Sequence, residues 1–168
     1  MNTYVALLRA VNVGGTGKLP MADLREMCER IGFINVRTYI ASGNVVFASA
    51  SSASEVQRDL NGVLAEYAGK PVGVVVLTPE EMATALAENP FADLAPNHTM
   101  AIFLDGAPPP TALDRVTGRQ GEDLALGQRV VYVHYGDGMA DSKLKIPAAA
   151  KGTARNMNTV AALVRLSG

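Results

Sequence analysis

The spacing of apolar and polar residues changes period several times along the chain, and each change marks an element. Residues 3–11 are apolar on both alternating faces, which suits a central strand buried on both sides. The glycine-rich stretch Asn12 to Lys18 reads as a loop. From Met21 the period becomes helical: Met21, Leu24, Cys28 and Ile31 form one stripe, with Pro20 near the start and Gly32 as the stop. Residues 36–40 and 45–48 read as strands joined at the polar turn Ala41-Ser42-Gly43-Asn44, as in a hairpin. Ser52 and Glu55 predict a capping box before a second helix, whose stripe is Val56, Leu60, Leu64 and Tyr67. Val72 to Leu77 reads as a further strand. The predicted order β-α-β-β-α-β is the split βαβ, or ferredoxin-like, arrangement.

The second half repeats that order loosely. Thr78-Pro79-Glu80-Glu81 predicts a helix start, with Glu81 closing a capping box, and this helix connects the halves. A strand at Thr99–Leu104 follows, then Pro108 to Pro110 and a helix to about Val116. Strands are expected near Leu124–Leu126 and Val130–Tyr135. A short helix is expected to end at Lys151, although Pro147 cannot lie deep inside it. The last helix takes Asn156 as its N-cap and packs Val160, Leu163 and Val164 inward. The expected fold class is therefore α+β. Two ferredoxin-like (split βαβ) units stand in tandem, residues 1–77 and 78–168, packed as one globule with a C-terminal helical segment.

Composition narrows the class further. The chain has 168 residues, of which 48% are hydrophobic, enough for a sizeable core. Its apolar runs stop short of the ~18 residues of a transmembrane helix, and no positively charged leader precedes the first strand. The single cysteine, Cys28, excludes an intrachain disulfide and a cysteine-rich zinc site, and its place on the first helix's apolar stripe predicts a buried, inert thiol. A cytoplasmic protein without a membrane partner is expected. The net charge of −1 hides an asymmetry: residues 1–19 carry +2 and residues 142–168 carry +5, both without an acid, while residues 52–141 carry −8. Basic ends brought together would attract an anion; alternatively, these side chains only solvate exposed helices.

Several separate motifs resemble one family. Arg9-Ala10-Val11-Asn12-Val13-Gly14-Gly15, Met21, Leu24, Gly32-Phe33, the run Thr38 to Phe47, Ser142-Lys143-Leu144 and Gly152-Thr153-Ala154-Arg155-Asn156 are similar to the bacterial family catalogued as domain of unknown function 1697. The resemblance covers essentially the whole chain. It implies a two-part α+β fold of ferredoxin-like units and no known reaction. The chain departs from the family at Ala10, where glycine is usual, and at Met157, where tryptophan is usual, which removes a surface for ring stacking.

The candidate chemistry centres on anions. Gly14 to Lys18 does not make a Walker loop, because its first glycine would have to stand at Asn12 and its hydroxyl at Leu19. Backbone N–H groups of such a loop can still form an anion nest; the alternative is a plain connection. Arg9 interrupts an apolar strand, and a buried guanidinium needs a partner, a ligand anion or a protein carboxylate, unless the strand end lets Arg9 reach water. Thr153, Arg155, Asn156 and Asn158 gather at a helix start, whose free N–H groups suit an anion, while capping explains one asparagine without a ligand. Ser42 lacks a nucleophile elbow and a histidine partner, and the isolated His98 and His134 make no metal site.

The resulting expectation is a module that binds a small phosphorylated or other anionic ligand through Arg9, Asn12, Lys18, Arg37, Ser42, Asn44, Lys143, Arg155 and Asn156, with no cofactor and no metal. Nucleic acid is a less favoured partner. The pI is near 6.1, and Tyr4 and Phe47 do not supply the aromatic signature of an RNA-recognition sheet. No residue is a convincing general base, so an enzyme acting on the same anion without metal stays open, its catalytic residues unassigned. A structural or oligomerising protein whose polar motifs hold the two units together is the other alternative, with homo-oligomers formed through sheet edges or faces or the glycine-rich stretch Tyr135 to Met139.

Overall fold

In the computed structural model, which describes residues 1–9, 19–40 and 43–168, the opening apolar run becomes β1 (Asn2–Leu8). It pairs antiparallel with both β3 (Asn44–Ser49) and β4 (Val74–Leu77), and β2 (Ile34–Tyr39) lies outside β3. The sheet order is β2-β3-β1-β4, that of a split βαβ unit. Both faces of β1 are buried, as the run without polar alternation requires: Tyr4, Ala6 and Leu8 on one side, Val5 and Leu7 on the other.

Two helices pack their apolar stripes on the first of these faces. Helix α1 (Met21–Arg30) contributes Leu24, Met27 and Cys28, and α2 (Ala53–Ala68) contributes Val56, Leu60, Val63 and Leu64. Phe33 and Phe47 stack within this core at 4.2 Å between ring centroids. The expected capping box is present: Glu55 N donates to Ser52 Oγ at 3.3 Å, and Ser52 N donates to Glu55 Oε1 at 3.0 Å. One stripe residue departs from expectation. Tyr67, in the last turn of α2, is largely exposed, and its hydroxyl donates to Asp23 Oδ2 at 2.9 Å. A tyrosine has a polar tip that gains from water, so the stripe ends with Leu64.

The second sheet repeats the topology of the first. Strands β5 (Thr99–Phe103), β6 (Asp123–Leu126), β7 (Val130–His134) and β8 (Thr153–Asn156) are arranged β6-β7-β5-β8, all antiparallel. Helix α3 (Pro79–Ala87) precedes them, and its Ala85 carbonyl accepts the Tyr132 hydroxyl at 2.8 Å. Glu81 pairs with Arg129 at 2.9 Å, which ties the first turn of α3 to the β6–β7 connection. Where the first unit has helices, the second has turns. The helix expected up to Val116 is a run of turns closed by Ala112 N to Pro109 O and Asp114 N to Thr111 O. Three successive prolines remove N–H donors there and turn their predecessors away from the α region. The short helix expected before Lys151 is a single 3-10 turn, Pro147–Ala149, with the proline in its first turn. Strand β8 lies where only a helix start was expected. Helix α4 (Met157–Ser167) buries Val160 and Leu163, while Val164 is only partly buried.

The chain divides into two units, Met1–Glu80 with Arg165–Gly168, and Glu81–Val164. Among the described residues no helix is long and apolar enough to cross a membrane.

Candidate functional site

The nine candidate residues fall on both units. In the first, Arg9 leaves the end of β1 between two glycines. Leu8 N donates to Gly43 O at 2.8 Å and Arg9 N donates to Gly73 O at 3.1 Å. Arg9 is half-buried, and its side chain lies against Gly73, where a Cβ would come within 3.0 Å of Arg9 Cδ. Gly73 also has φ +85°, so glycine alone both turns there and leaves room for the arginine stem. Asn44 faces Leu7 at the same end of the sheet, fully buried, and its Nδ2 donates to Tyr39 O at 2.9 Å. That bond closes the β2–β3 hairpin, so Asn44 begins a strand rather than occupying a loop tip. Arg37 lies further along the edge strand, exposed and opposite Val46. Asn12, Lys18 and Ser42 lie outside the described residues.

The backbone of this hairpin is strained. Ile40 has φ +45°, a conformation that a β-branched side chain rarely adopts, and it is half-exposed, so no core packing explains it.

In the second unit, Arg155 on β8 stands opposite Ala101, in the same row of side chains as Tyr132. It is only 6% exposed. Its Nη1 donates to Thr153 Oγ1 at 2.7 Å and to Ala154 O at 2.9 Å, and burial lowers the guanidinium pKa to about 10. Asn156 caps α4 as expected, its Oδ1 accepting from Thr159 N at 2.9 Å. Lys143 is exposed and its carbonyl packs against Gly118. Beside it, the Ser142 hydroxyl donates to Glu122 Oε2 at 2.6 Å, while Gln120 N donates to the other carboxylate oxygen. These bonds hold the Glu122 carboxyl below its ordinary range, with the Ser142 hydroxyl as the largest cause. Ser142 and Glu122 therefore fasten the loop before β6 to the chain around Leu144, whose N–H donates to Ser142 Oγ.

Glu122 is a buried acid that sequence reasoning missed. It lies in a polar loop after Gly121, with no periodic pattern around it to announce burial. Cys28 is buried, and desolvation, with Glu29 adding a smaller effect, raises its thiol pKa to about 12, which leaves it protonated and inert near neutral pH. His134 Nδ1 lies 2.8 Å from Thr99 Oγ1. Among the described residues no three His, Cys, Asp or Glu side chains group as a metal site.

A family model described as "Protein of unknown function (DUF1697)" matches residues 1–132. That span takes in the first unit and the second as far as β7, and stops before Ser142-Lys143-Leu144 and the β8 segment. No curated protein matches the chain. The solved structure of a conserved bacterial protein, SP0830 from Streptococcus pneumoniae, is similar to it, with a TM-score of 0.81 and 22% identity over 99% of this chain and 98% of that one. At that identity the likeness establishes the fold.

Proposed function

The chain belongs to the DUF1697 family, and within it we propose that the protein binds a small phosphorylated or other anionic ligand at the Arg9 end of its first sheet. The observation that carries this reading is the placement of Arg9, a half-buried cation at the mouth of an apolar strand, seated on Gly73 beside a strained hairpin. Strain of this kind costs about 1–3 kcal/mol and gathers at ligand sites. Asn12, Lys18 and Ser42, which lie close to Arg9 and Gly43 in sequence, complete the proposed set of donors. Arg37 contributes charge from the edge strand. The ligand is small, because one guanidinium and short polar side chains suit a single anionic group better than a polymer.

A thermal-shift screen with inorganic phosphate, nucleotides, sugar phosphates and short RNA tests this. A ligand at ~100 times its Kd adds about 2.7 kcal/mol, a rise of about 5–10 °C in Tm for a chain of this size. Arg9→Ala is expected to abolish the rise while folding normally. An anion series that moves neither protein, or that moves both equally, removes the reading.

A second reading is favoured for the late polar motif. Thr153, Arg155 and Asn156 hold β8 and the start of α4 together, and Lys143 belongs to the loop fastened by Glu122. On this view Arg155→Ala lowers stability by about 1–3 kcal/mol, the cost of losing its charge-assisted hydrogen bonds to Thr153 and Ala154, and leaves the phosphate response of the folded protein intact.

A further inference from the structure

The turns of the second unit cover their sheet face incompletely. Val131, Val133, Ile146 and Ala149 are buried there, but Ile102, Leu124, Leu126 and Leu144 around them remain partly exposed. Into this face opens a pocket of about 400 Å³, with Ile102, Leu144, Ile146 and Pro147 among its walls. It lies between β5, the end of β7 and the chain leading into β8, where the first unit places α2 over the corresponding strands.

Two polar groups line it. Lys145 is exposed and has no ion-pair partner among the described residues. The Tyr135 hydroxyl is half-buried and has no hydrogen-bond partner among them. Burial, aided by Glu122, raises the Tyr135 pKa above its ordinary value, so the phenol remains a donor at neutral pH. The Glu122 carboxylate is itself occupied by Ser142 and Gln120. An apolar cavity of this size lined by a few residues with polar side chains is the usual form of a small-molecule site. An ammonium and a phenol, both donors, select an acceptor-rich anionic head.

We propose that this pocket is a second ligand site, separate from the Arg9 end, which takes a small amphiphilic carboxylic acid. Its hydrocarbon body packs on Ile102, Leu144, Ile146 and Pro147, and its carboxylate meets Lys145 and the Tyr135 hydroxyl. Arg155 plays no part, because it projects from the opposite face of the sheet, in the row of Ala101 and Tyr132.

Octanoate titrated into the ¹⁵N-labelled protein tests the site by amide chemical shifts. Saturable changes are expected at Ile102, Tyr135 and Leu144 to Ile146, undisplaced by inorganic phosphate. Octan-1-ol, with the same body and no charge, is expected to bind about tenfold more weakly, and Lys145→Ala to weaken octanoate by a similar factor, the worth of one charge-assisted hydrogen bond. The amide spectrum of the variant reports its fold, and Lys145 is exposed. Changes that do not saturate or fall elsewhere overturn the proposal. So does equal binding of octanoate and octanol, or of octanoate to parent and variant.

Discussion

Between β1 and β2 the first unit places the ten residues of α1, and between β3 and β4 the sixteen of α2; the second unit, with the same strand order, has turns in the first place and turns with two short 3-10 helices, Gly136–Asp141 and Pro147–Ala149, in the second. The sheets differ accordingly. The helix-covered face of the first is sealed, with Tyr4, Ala6, Leu8, Phe47 and Val76 all buried. The turn-covered face of the second leaves much of its apolar surface half-buried and opens a pocket. A sheet order is set by which strands pair, and pairing does not require helices in the crossovers. What the helices add is a complete apolar cover, so their loss converts a core into a surface that can receive something else.

The largest expected effect that tests this contrast is in the cores. Leu60→Ala removes a fully buried side chain under α2 and should cost about 2–5 kcal/mol. Leu126→Ala, on the partly covered face, should cost about 1 kcal/mol, because water already reaches the site and less apolar area is lost. Urea unfolding of both variants measures the difference. Equal losses would show that the second face is as well sealed as the first.

The same contrast explains what could be read in the sequence. The first unit was legible because its periods are long: a run apolar on both faces for β1, helical stripes for α1 and α2, and a Ser52–Glu55 box at a helix start. The second was legible only in part. Its central strands β5 and β7 read correctly from local pattern. Pro108 to Pro110 suggested a helix start, but nothing after Pro110 sustains a helix. Strand β8 was missed because Thr153 to Asn156 are polar and only pairing with β5, some fifty residues earlier, makes them a strand. The candidate site follows the same rule. Asn156 was legible as a cap, since capping is local. Arg155 stood out as a charge, but its burial depends on the sheet around it, and no spacing signals that the Thr153 hydroxyl and the Ala154 carbonyl accept its hydrogen bonds.

Each unit also buries a weak acid whose pKa burial raises to about 12, and the two sharpen the comparison at high pH. Cys28 in the first is raised from 9.0 to about 12, and Tyr132 in the second from 10.0 to about 12, in both cases chiefly by burial. An acid with a raised folded pKa holds its proton in the native state and loses it when unfolded. Stability is therefore undiminished below the unfolded pKa, falls as pH rises through it, and stops falling near the folded value. The loss through Cys28 begins near pH 9 and that through Tyr132 near pH 10. At pH 10 the Cys28 contribution amounts to about 1 kcal/mol. Urea midpoints from pH 8 to 10.5 should show a shallower decline in Cys28→Ala than in the parent, whereas Tyr132→Phe, which is offset at every pH by the lost bond to Ala85 O, should depart in slope only above pH 10. A thiol reagent that modifies Cys28 in the native protein at pH 8 would contradict the burial on which this rests.

The smallest effect concerns the hairpin beside Arg9. Ile40 holds φ +45° with its side chain half in water, so the core gains little from the isoleucine and the backbone bears the strain. Ile40→Gly removes the steric cost but frees the unfolded chain, and the two terms oppose. Because a β-branched residue in this region is the more costly of the two, a net gain of about 0.5–1 kcal/mol is expected. If the strain serves the ligand site by fixing the end of β2 beside Arg9, the more stable variant should bind phosphate more weakly than the parent, since a glycine no longer holds that backbone in one conformation. Higher stability with unchanged affinity would separate the strained turn from the site and leave Arg9 as its organising residue. A loss of stability would instead mean that Ile40 makes packing contacts worth more than its strain, and the first unit would then be sealed at its hairpin as well as under its helices.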